Sequence, residues 1–204
     1  MDEERLGEML RRLGEVMRIA HDRGLVNLLG GNASIKWGDG FYITPSQVPK
    51  NQLRPEDMVY VPFDLGPELS LSGKKASMEW RMHREIYLNN PEVNAVLHTH
   101  NPYTLALYMS GLEVNPKEFV EAYTIGECIS LVPFLPAGSI ELARSVAEAL
   151  KSCKVAVLLN HGVVAGAKNL SIALDSVEAL EDLSRITIMR NLLSKLSRIG
   201  GWFP

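Results

Sequence analysis

The chain has 204 residues, of which 46% are hydrophobic and 22% charged, and its formal net charge is −3. This composition is typical of one well-buried globular domain, which we expect to span residues 1–204. Nucleic-acid binding is not indicated because the chain has no basic block. No apolar run approaches the roughly 20 residues of a membrane helix. The acidic, then amphipathic start is unlike a signal peptide.

The two cysteines, Cys128 and Cys153, stand far apart and form no C-x-x-C motif. A disulfide framework is therefore not expected. Cys153 precedes an apolar segment and is predicted to be a small buried side chain. Both features favour a reducing cytoplasm as the location of the protein.

Hydrophobic periodicity predicts the order of the secondary-structure elements. A hairpin is predicted over 35–43, with its turn at Gly38-Asp39-Gly40, because two short apolar segments flank that turn. Further strands are predicted over 58–61, 94–100 and 154–159, with one or two more within 119–134. Helices are predicted over 3–23, 78–88, 102–109, 140–150 and 171–197. This order predicts an α/β domain with a central sheet and flanking helices.

The segment Asn94–His100, N-A-V-L-H-T-H, ends in two histidines one residue apart. Residues i and i+2 of a strand point to the same face, about 6.6 Å apart, so His98 and His100 could chelate one metal ion. His161 ends the next apolar strand in the same way. A lone histidine more often satisfies a buried hydrogen bond, but the three together favour a catalytic zinc site with an open position.

Glu79 is the candidate acid/base, because it lies in the first turn of the helix that leads into the H-x-H strand. The alternative is an ordinary surface carboxylate. His83, one turn further on, is expected to pack or hydrogen-bond near the site rather than to bind metal. Small and hydroxyl-bearing residues at turns could cradle an anion such as phosphate, although each could equally be an ordinary turn. The cradle candidates are Gly31, Asn32, Thr44, Ser46 and Ser77.

Five motifs together resemble those of the class II (zinc-dependent) aldolase family, typified by L-fuculose-1-phosphate aldolase and related to pentulose-phosphate 4-epimerases and the adducin head domain. They are G-G-N-A-S (30–34), I-T-P-S (43–46), K-K-A-S-M-E-W-R-M-H (74–83), V-L-H-T-H (96–100) and L-N-H-G-V (159–163). The resemblance covers nearly the whole chain. It implies a single domain with a central, mostly antiparallel sheet and helices on both sides.

The resemblance also implies roles for individual residues. His98, His100 and His161 would be the Zn²⁺ ligands, and Glu79 the catalytic carboxylate that also touches the metal. Mn²⁺ or Co²⁺ could occupy the same ligands. Asn32, Ser46 and Ser77 would bind substrate phosphate. The implied reaction is cleavage of a sugar 1-phosphate, similar to L-fuculose 1-phosphate, to dihydroxyacetone phosphate and an aldehyde such as lactaldehyde. The implied assembly is a homotetramer with active sites between subunits.

Two departures from the family pattern affect the phosphate contacts: Gln47 replaces a common glycine, and Met78 replaces a second hydroxyl residue. Other reactions of the family stay open. Glu79 favours an aldolase over the 4-epimerase branch, which resembles a version with aspartate there. A sugar-phosphate dehydratase or decarboxylase would keep the same metal and carboxylate. The complete histidine set counts against a non-enzymatic, adducin-like scaffold.

Overall fold

A computed structural model describes residues 2–200, with side chains described for residues 3–198. Residues 1 and 201–204 of the predicted domain lie outside this range. Five α-helices and seven strands follow one another within the described residues. They are α1 (Asp2–Asp22), β1 (Asn32–Trp37), β2 (Gly40–Ile43), β3 (Val59–Pro62), α2 (Trp80–Asn89), β4 (Ala95–Thr99), α3 (Pro102–Met109), β5 (Ile129–Val132), α4 (Ile140–Ala149), β6 (Val155–Leu158), β7 (Gly162–Ala167) and α5 (Leu170–Gly200).

The strands form one sheet in the order β3-β2-β1-β4-β7-β6-β5, so β4 lies at its centre. Every neighbouring pair is antiparallel except β5 and β6, which run parallel. A parallel pair needs a long crossover, and α4 provides it. The prediction of a single domain built on a mostly antiparallel sheet is confirmed.

Helices cover both faces of the sheet, as predicted. The side chains of β4 alternate between the two cores that these helices cover. Ala95 and Leu97 belong to the core that α1, α3 and α5 cover. Val96 belongs to the second core, which α2 and α4 cover. Because side chains alternate along a strand, His98 shares the face of Val96. The site therefore develops on the α2 side of the central strand.

The predicted hairpin, α1 and α3 agree with the structure. Ser139 caps α4 by accepting the N–H of Leu142. One strand, β7, was not predicted. Its sequence, G-V-V-A-G-A, is short and consists of small residues, so it shows no clear strand pattern between the apolar run of β6 and the last helix. The structure inserts β7 between β4 and β6, so β6, the H-G turn and β7 form a hairpin.

The start of helix α2 lies two residues later than predicted, at Trp80 rather than Met78, which places Glu79 at its N-cap. Within residues 119–134, where one or two strands are predicted, the single strand β5 forms, and a 3-10 helix spans Val120–Thr124. Within the described residues, no helix is both long and apolar enough to span a membrane.

The cysteine prediction is wrong, because a disulfide joins Cys128 and Cys153, whose Cα atoms are 5.4 Å apart. The physical reason is the parallel pairing of β5 and β6, which aligns Ile129 with Val155. The residues that precede two parallel strands lie at the same end of the sheet. A separation of 25 residues carries no sign of this proximity in the sequence. Cys153 is nevertheless buried, as predicted.

Candidate metal centre

Two of the three candidate ligands come from the end of β4. His98 is paired across the sheet with Asn32 of β1 on one side and with Val164 of β7 on the other. His100 follows two residues later, and its N–H donates to the carbonyl of Leu25. The ring centroids of the two histidines are 5.2 Å apart. The predicted two-residue spacing thus brings both rings together.

The third histidine, His161, lies in the tight turn between β6 and β7. This turn places Asn160 at a positive φ of 60°. Gly162 follows, and a side chain there would collide with the carbonyl of Thr99 and come within 2.8 Å of the His98 ring. Glycine therefore lets the hairpin approach β4 closely enough for the rings of His161 and His98 to lie 4.8 Å apart.

The three histidines offer ligand atoms that all lie within 4.8 Å of one another. Burial lowers the pKa of His98, His100 and His161 below the usual value for histidine. The mutual repulsion that charged rings would feel lowers the pKa of His98 and His100 further. Neutral imidazole is the form that binds a metal ion. The cluster is thus held ready for a divalent metal.

His98 also shows which ring nitrogen is available. Its Nδ1 lies 3.0 Å from the carbonyl oxygen of Val163, which can only accept a hydrogen bond. A neutral ring must then carry its proton on Nδ1, leaving the lone pair of Nε2 free. A backbone carbonyl that fixes the tautomer in this way is a common partner of metal-binding histidines.

Glu79 is buried beside this cluster, with only 5% of its surface exposed. Its Oε1 accepts the N–H of Gly138 at 3.2 Å and lies 3.7 Å from Nε2 of His161. Its Oε2 is buried with no hydrogen-bond partner among the described residues. Burial raises the pKa of Glu79, and the bond from Gly138 offsets part of that rise. The surface alternative is therefore wrong, and the carboxylate faces the histidines.

These observations test whether the residues fit a metal ion. Three neutral imidazoles converge, one has its tautomer fixed by the backbone, and a buried carboxylate oxygen next to them lacks a partner. Three histidines with a nearby carboxylate match the ligand chemistry of catalytic zinc. The donor set fits the metal that the sequence predicts.

The anion-cradle candidates lie in three segments that the structure brings side by side. Pro45 and Ala76 form an isolated β-bridge, the N–H of Ser46 donates to Lys75, and that of Ser77 donates to Thr44. The Oγ of Ser77 in turn accepts the N–H of Glu79 at 3.3 Å. The segments around Ser46 and Ser77 are thus joined to each other and to the catalytic candidate.

The other cradle candidates flank β1. Gly31 has a φ of 68°, and a Cβ there would come within 2.8 Å of the His98 carbonyl, so glycine is required. Thr44 is fully buried, and its Oγ1 accepts the N–H of Ala33, which ties the loop after β2 to β1. Direct contact of Thr44, and of the other cradle residues, with a ligand stays a prediction.

A buried chain of hydrogen bonds leads from the cradle into the α2 core. His83 contacts Oδ1 of Asn32 through Nε2 and Oγ of Ser34 through Nδ1, both at 2.6 Å. Ser34 Oγ also lies 2.7 Å from the hydroxyl of Tyr87. Because Oδ1 only accepts, Nε2 carries the proton and Nδ1 accepts from Ser34. The bond with His83 uses Oδ1 of Asn32 and does not use its amide NH₂ group. His83 thus forms hydrogen bonds near the site, as predicted.

Two buried charged residues near the site were not found from the sequence. Lys50 is 1% exposed, and its Nζ donates to the carbonyl of Pro45 at 3.2 Å. Glu181 of α5 accepts from the N–H groups of Tyr103 and Thr104 and so caps α3, the helix that follows His100. In the sequence, Lys50 is one lysine in a polar loop, and Glu181 is one of many charged residues on a long helix.

Comparison with known proteins identifies the family of this chain. A family described as "Class II Aldolase and Adducin N-terminal domain" matches residues 11–188. The L-fuculose phosphate aldolase of Methanococcus maripaludis strain S2 is 36% identical over 180 residues, covering 87% of this chain and 96% of that protein. A 5-methylthioribulose-1-phosphate/5-deoxyribulose-1-phosphate aldolase of Rhodospirillum rubrum is 32% identical over 164 residues, covering 79% of this chain and 72% of that protein.

A solved structure gives the same result for the fold. The L-fuculose-1-phosphate aldolase of Thermus thermophilus superimposes with a TM-score of 0.81 at 28% identity, covering 98% of both chains. The central sheet with helices on both faces therefore matches the fold of a solved class II aldolase. The chain belongs to the class II aldolase and adducin N-terminal domain family.

The first prediction concerns the ligand set. The purified protein should hold about one divalent metal ion per chain, and replacing His98 or His161 with alanine should remove most of it, because each supplies one of three imidazoles. Elemental analysis after dialysis measures the metal content. His21→Ala, on α1 and outside the histidine cluster, is the control that should keep it. Unchanged metal content in both site variants would contradict the assignment.

The second prediction concerns His83, whose burial lowers its pKa to about 3. The unfolded state takes up this proton below about pH 6.5 and the folded state does not, so stability falls as the pH drops from 6.5 towards 3. At pH 5 the loss from His83 should be about 2 kcal/mol. His83→Gln should remove this part of the pH dependence, whereas Tyr87→Phe should keep it. Urea unfolding at pH 7 and pH 5 measures the free energy of unfolding of each protein. An equal loss of unfolding free energy between pH 7 and pH 5 in the wild type and both variants would refute the effect.

Proposed function

We propose that this protein is a metal-dependent aldolase that reversibly cleaves a sugar 1-phosphate into dihydroxyacetone phosphate and an aldehyde. The observation that carries the proposal is the convergence of three neutral imidazoles with the buried, half-unpartnered carboxylate of Glu79. The relatives named as aldolases of fuculose phosphate and of 5-deoxyribulose-type phosphates support the reaction class. We assign His98, His100 and His161 as ligands of Zn²⁺, with Glu79 as a further contact to the metal.

A bound metal would supply Lewis-acid polarisation of a ketone oxygen, which is worth several kcal/mol of transition-state stabilisation. The residues of the chain then supply the proton transfer. Oε1 of Glu79 is held by the N–H of Gly138, so Oε2 is the atom free to take a proton from the carbon next to the carbonyl. A pKa raised by burial suits this role, because the carboxylate becomes a stronger base in the dry site.

The cradle would bind the phosphate and hold the reacting carbons near Glu79. Backbone N–H groups at the Gly31–Asn32 turn, the Asn32 amide and the hydroxyls of Ser46 and Ser77 are donors suited to a phosphate. The buried hydroxyl of Thr44 supports these donors by tying the loop after β2 to β1. Binding energy gained at the phosphate is thereby used to orient the remote carbonyl carbon. The bond between Ser77 and Glu79 links the two ends of the site directly.

A substrate like L-fuculose 1-phosphate, giving lactaldehyde, is our first candidate, because relatives named for it match most of this chain. The second candidate is a 5-deoxyribulose-type 1-phosphate, favoured by the Rhodospirillum rubrum relative. Both would share the dihydroxyacetone phosphate half and differ only in the aldehyde. Pentulose-phosphate 4-epimerisation and sugar-phosphate dehydration are the alternative reactions of the same frame.

The third prediction tests the proton transfer. Glu79→Gln should slow exchange of the α-proton of dihydroxyacetone phosphate with D₂O by on the order of 10²–10⁴-fold, because the general base is lost. Proton NMR of the exchange and metal analysis of the same samples separate loss of the base from loss of the ion. Glu92→Gln, an exposed residue in the segment before β4, is the matched control. Wild-type exchange in a metal-loaded Glu79→Gln protein would remove Glu79 from this role.

The same preparations identify the reaction. Phosphorylated ketoses of both candidate types should be assayed for cleavage, epimerisation and dehydration, with and without a chelator. We expect cleavage that stops when the metal is removed. Epimerisation without cleavage would replace the aldolase proposal with its first alternative, and dehydration with its second.

We further propose a cytoplasmic homotetramer with active sites between subunits. Charged sugar phosphates do not cross lipid, which places such an enzyme where its substrates are made, although the Cys128–Cys153 disulfide is uncommon in a reducing compartment. The second half of α5 carries apolar side chains that are 46–63% exposed and suit an interface. They are Ile186, Met189, Leu192, Leu193 and Leu196.

The fourth prediction combines both points. Native protein should appear in the cytoplasmic fraction of its own cells and, by light scattering, should have about four times the chain mass of 22.6 kDa. Leu193→Glu should lower that mass, because it places a charge on the apolar surface of α5, whereas Ser194→Glu is expected to do so less. A single-chain mass for the wild type would contradict the assembly.

A further inference from the structure

Lys50 is a buried cation with no anionic partner among the described residues. Its side chain is 1% exposed, which ranks it with Phe41 among the largest fully buried side chains. Within the described part of the chain, no carboxylate forms an ion pair with it. Buried ammonium groups are almost always paired, because leaving water is costly for a charge. An unpaired one points to a counter-charge that the chain itself does not provide.

The position of Lys50 indicates where that counter-charge would bind. Its backbone N–H donates to the carbonyl of Leu28, in the loop that leads to Gly31. Its Nζ donates to the carbonyl of Pro45, between the two hydroxyl residues of the loop after β2. Lys50 therefore connects two of the segments assigned to the anion cradle. An ammonium group has three N–H donors, and the bond to Pro45 uses one of them.

One electrostatic property agrees with this placement. Burial lowers the pKa of Lys50 to about 8, so the group stays mainly protonated at neutral pH. A dianionic phosphate next to Lys50 would relieve the charge burial and accept its remaining N–H groups.

We propose that the ammonium group of Lys50 is the charge partner of a phosphate group bound between the Gly31–Asn32 turn and the Pro45–Ser46 turn. The proposal rests on the proposed function for the identity of the anion and adds a residue to the cradle. It also gives a protein with a net charge of −3 a local positive charge with which to hold a dianion. The competing explanation is that Lys50 merely holds the Pro45 carbonyl in place.

Two substitutions separate these explanations. Lys50→Met removes both the charge and the hydrogen bond to Pro45. Lys50→Gln removes the charge and keeps an N–H donor for the Pro45 carbonyl. Lys74→Met, in the exposed loop before Ser77, removes the same charge at the surface and is the matched control.

Inorganic phosphate is the probe, titrated calorimetrically into zinc-loaded protein. We expect phosphate to bind the wild type, and both Lys50 variants to bind it at least 10-fold more weakly. Lys74→Met should stay within about twofold, because an exposed charge is screened by solvent. Without phosphate, Lys50→Met should melt at or above the wild-type temperature, since it removes an unpaired buried charge. The increase in melting temperature on adding phosphate should be largest for the wild type.

The outcomes separate this proposal from the proposed function. Wild-type phosphate affinity in Lys50→Gln would overturn the role of the charge, even if the enzyme cleaves sugar phosphates. No phosphate binding by the wild type would also overturn it. Phosphate that simply ligates the metal would bind all variants alike and would count against Lys50. Loss of phosphate affinity in the Lys50 variants, without aldol cleavage by the wild type, would support Lys50 and reject the aldolase. If Lys50→Met does not fold, Lys50→Gln decides.

Discussion

The candidate site depends on the antiparallel pairing of β4 with β7. This pairing aligns His98 with Val164 and Thr99 with Val163, and so brings the β6–β7 turn with His161 next to the end of β4. A slip of one residue would turn His98 to the opposite face, away from Glu79 and His83. The absence of a side chain at Gly162 permits the close approach, and the Val163 carbonyl fixes the His98 ring. The arrangement of the candidate metal ligands therefore depends on strand register as much as on the ligands themselves.

Burial acts on every ionisable group of the site in the same sense: it favours the neutral form. It lowers the pKa of the histidines and of Lys50, and it raises that of Glu79. Without bound ligands, the charged forms of these groups have too little opposite charge nearby, and the surrounding sheet and helices hold them in place. A metal cation and a phosphate dianion would each bring the charge that one part of the site lacks. Under the proposed function, separate residues of the chain would thus be held ready for two ligands of opposite sign.

Much of this arrangement follows from the sequence. The two-residue spacing of His98 and His100 specifies a shared strand face, and the strand-end position of His161 makes it their natural partner. The family motifs supply the sheet type. Contacts set by tertiary packing could not be predicted: β7 is too rich in small residues to show a clear strand pattern, the disulfide follows from a parallel strand pair, and the burial of Lys50 follows from two loops closing over it. Glu79 was found, but its place at the N-cap depends on where the preceding loop ends.

The β4–β7 pairing also bears on how the chain reaches its folded state. It joins Ala95 to Ala167, residues far apart in sequence, and such non-local pairings form slowly because a long loop must close first. The three imidazoles meet only when this central step is complete. A metal ion bound by these ligands would therefore be captured late, after the sheet has formed, and could stabilise the finished sheet but not guide its assembly. A chain whose middle strands pair wrongly would lack the complete set of ligands needed to retain the ion.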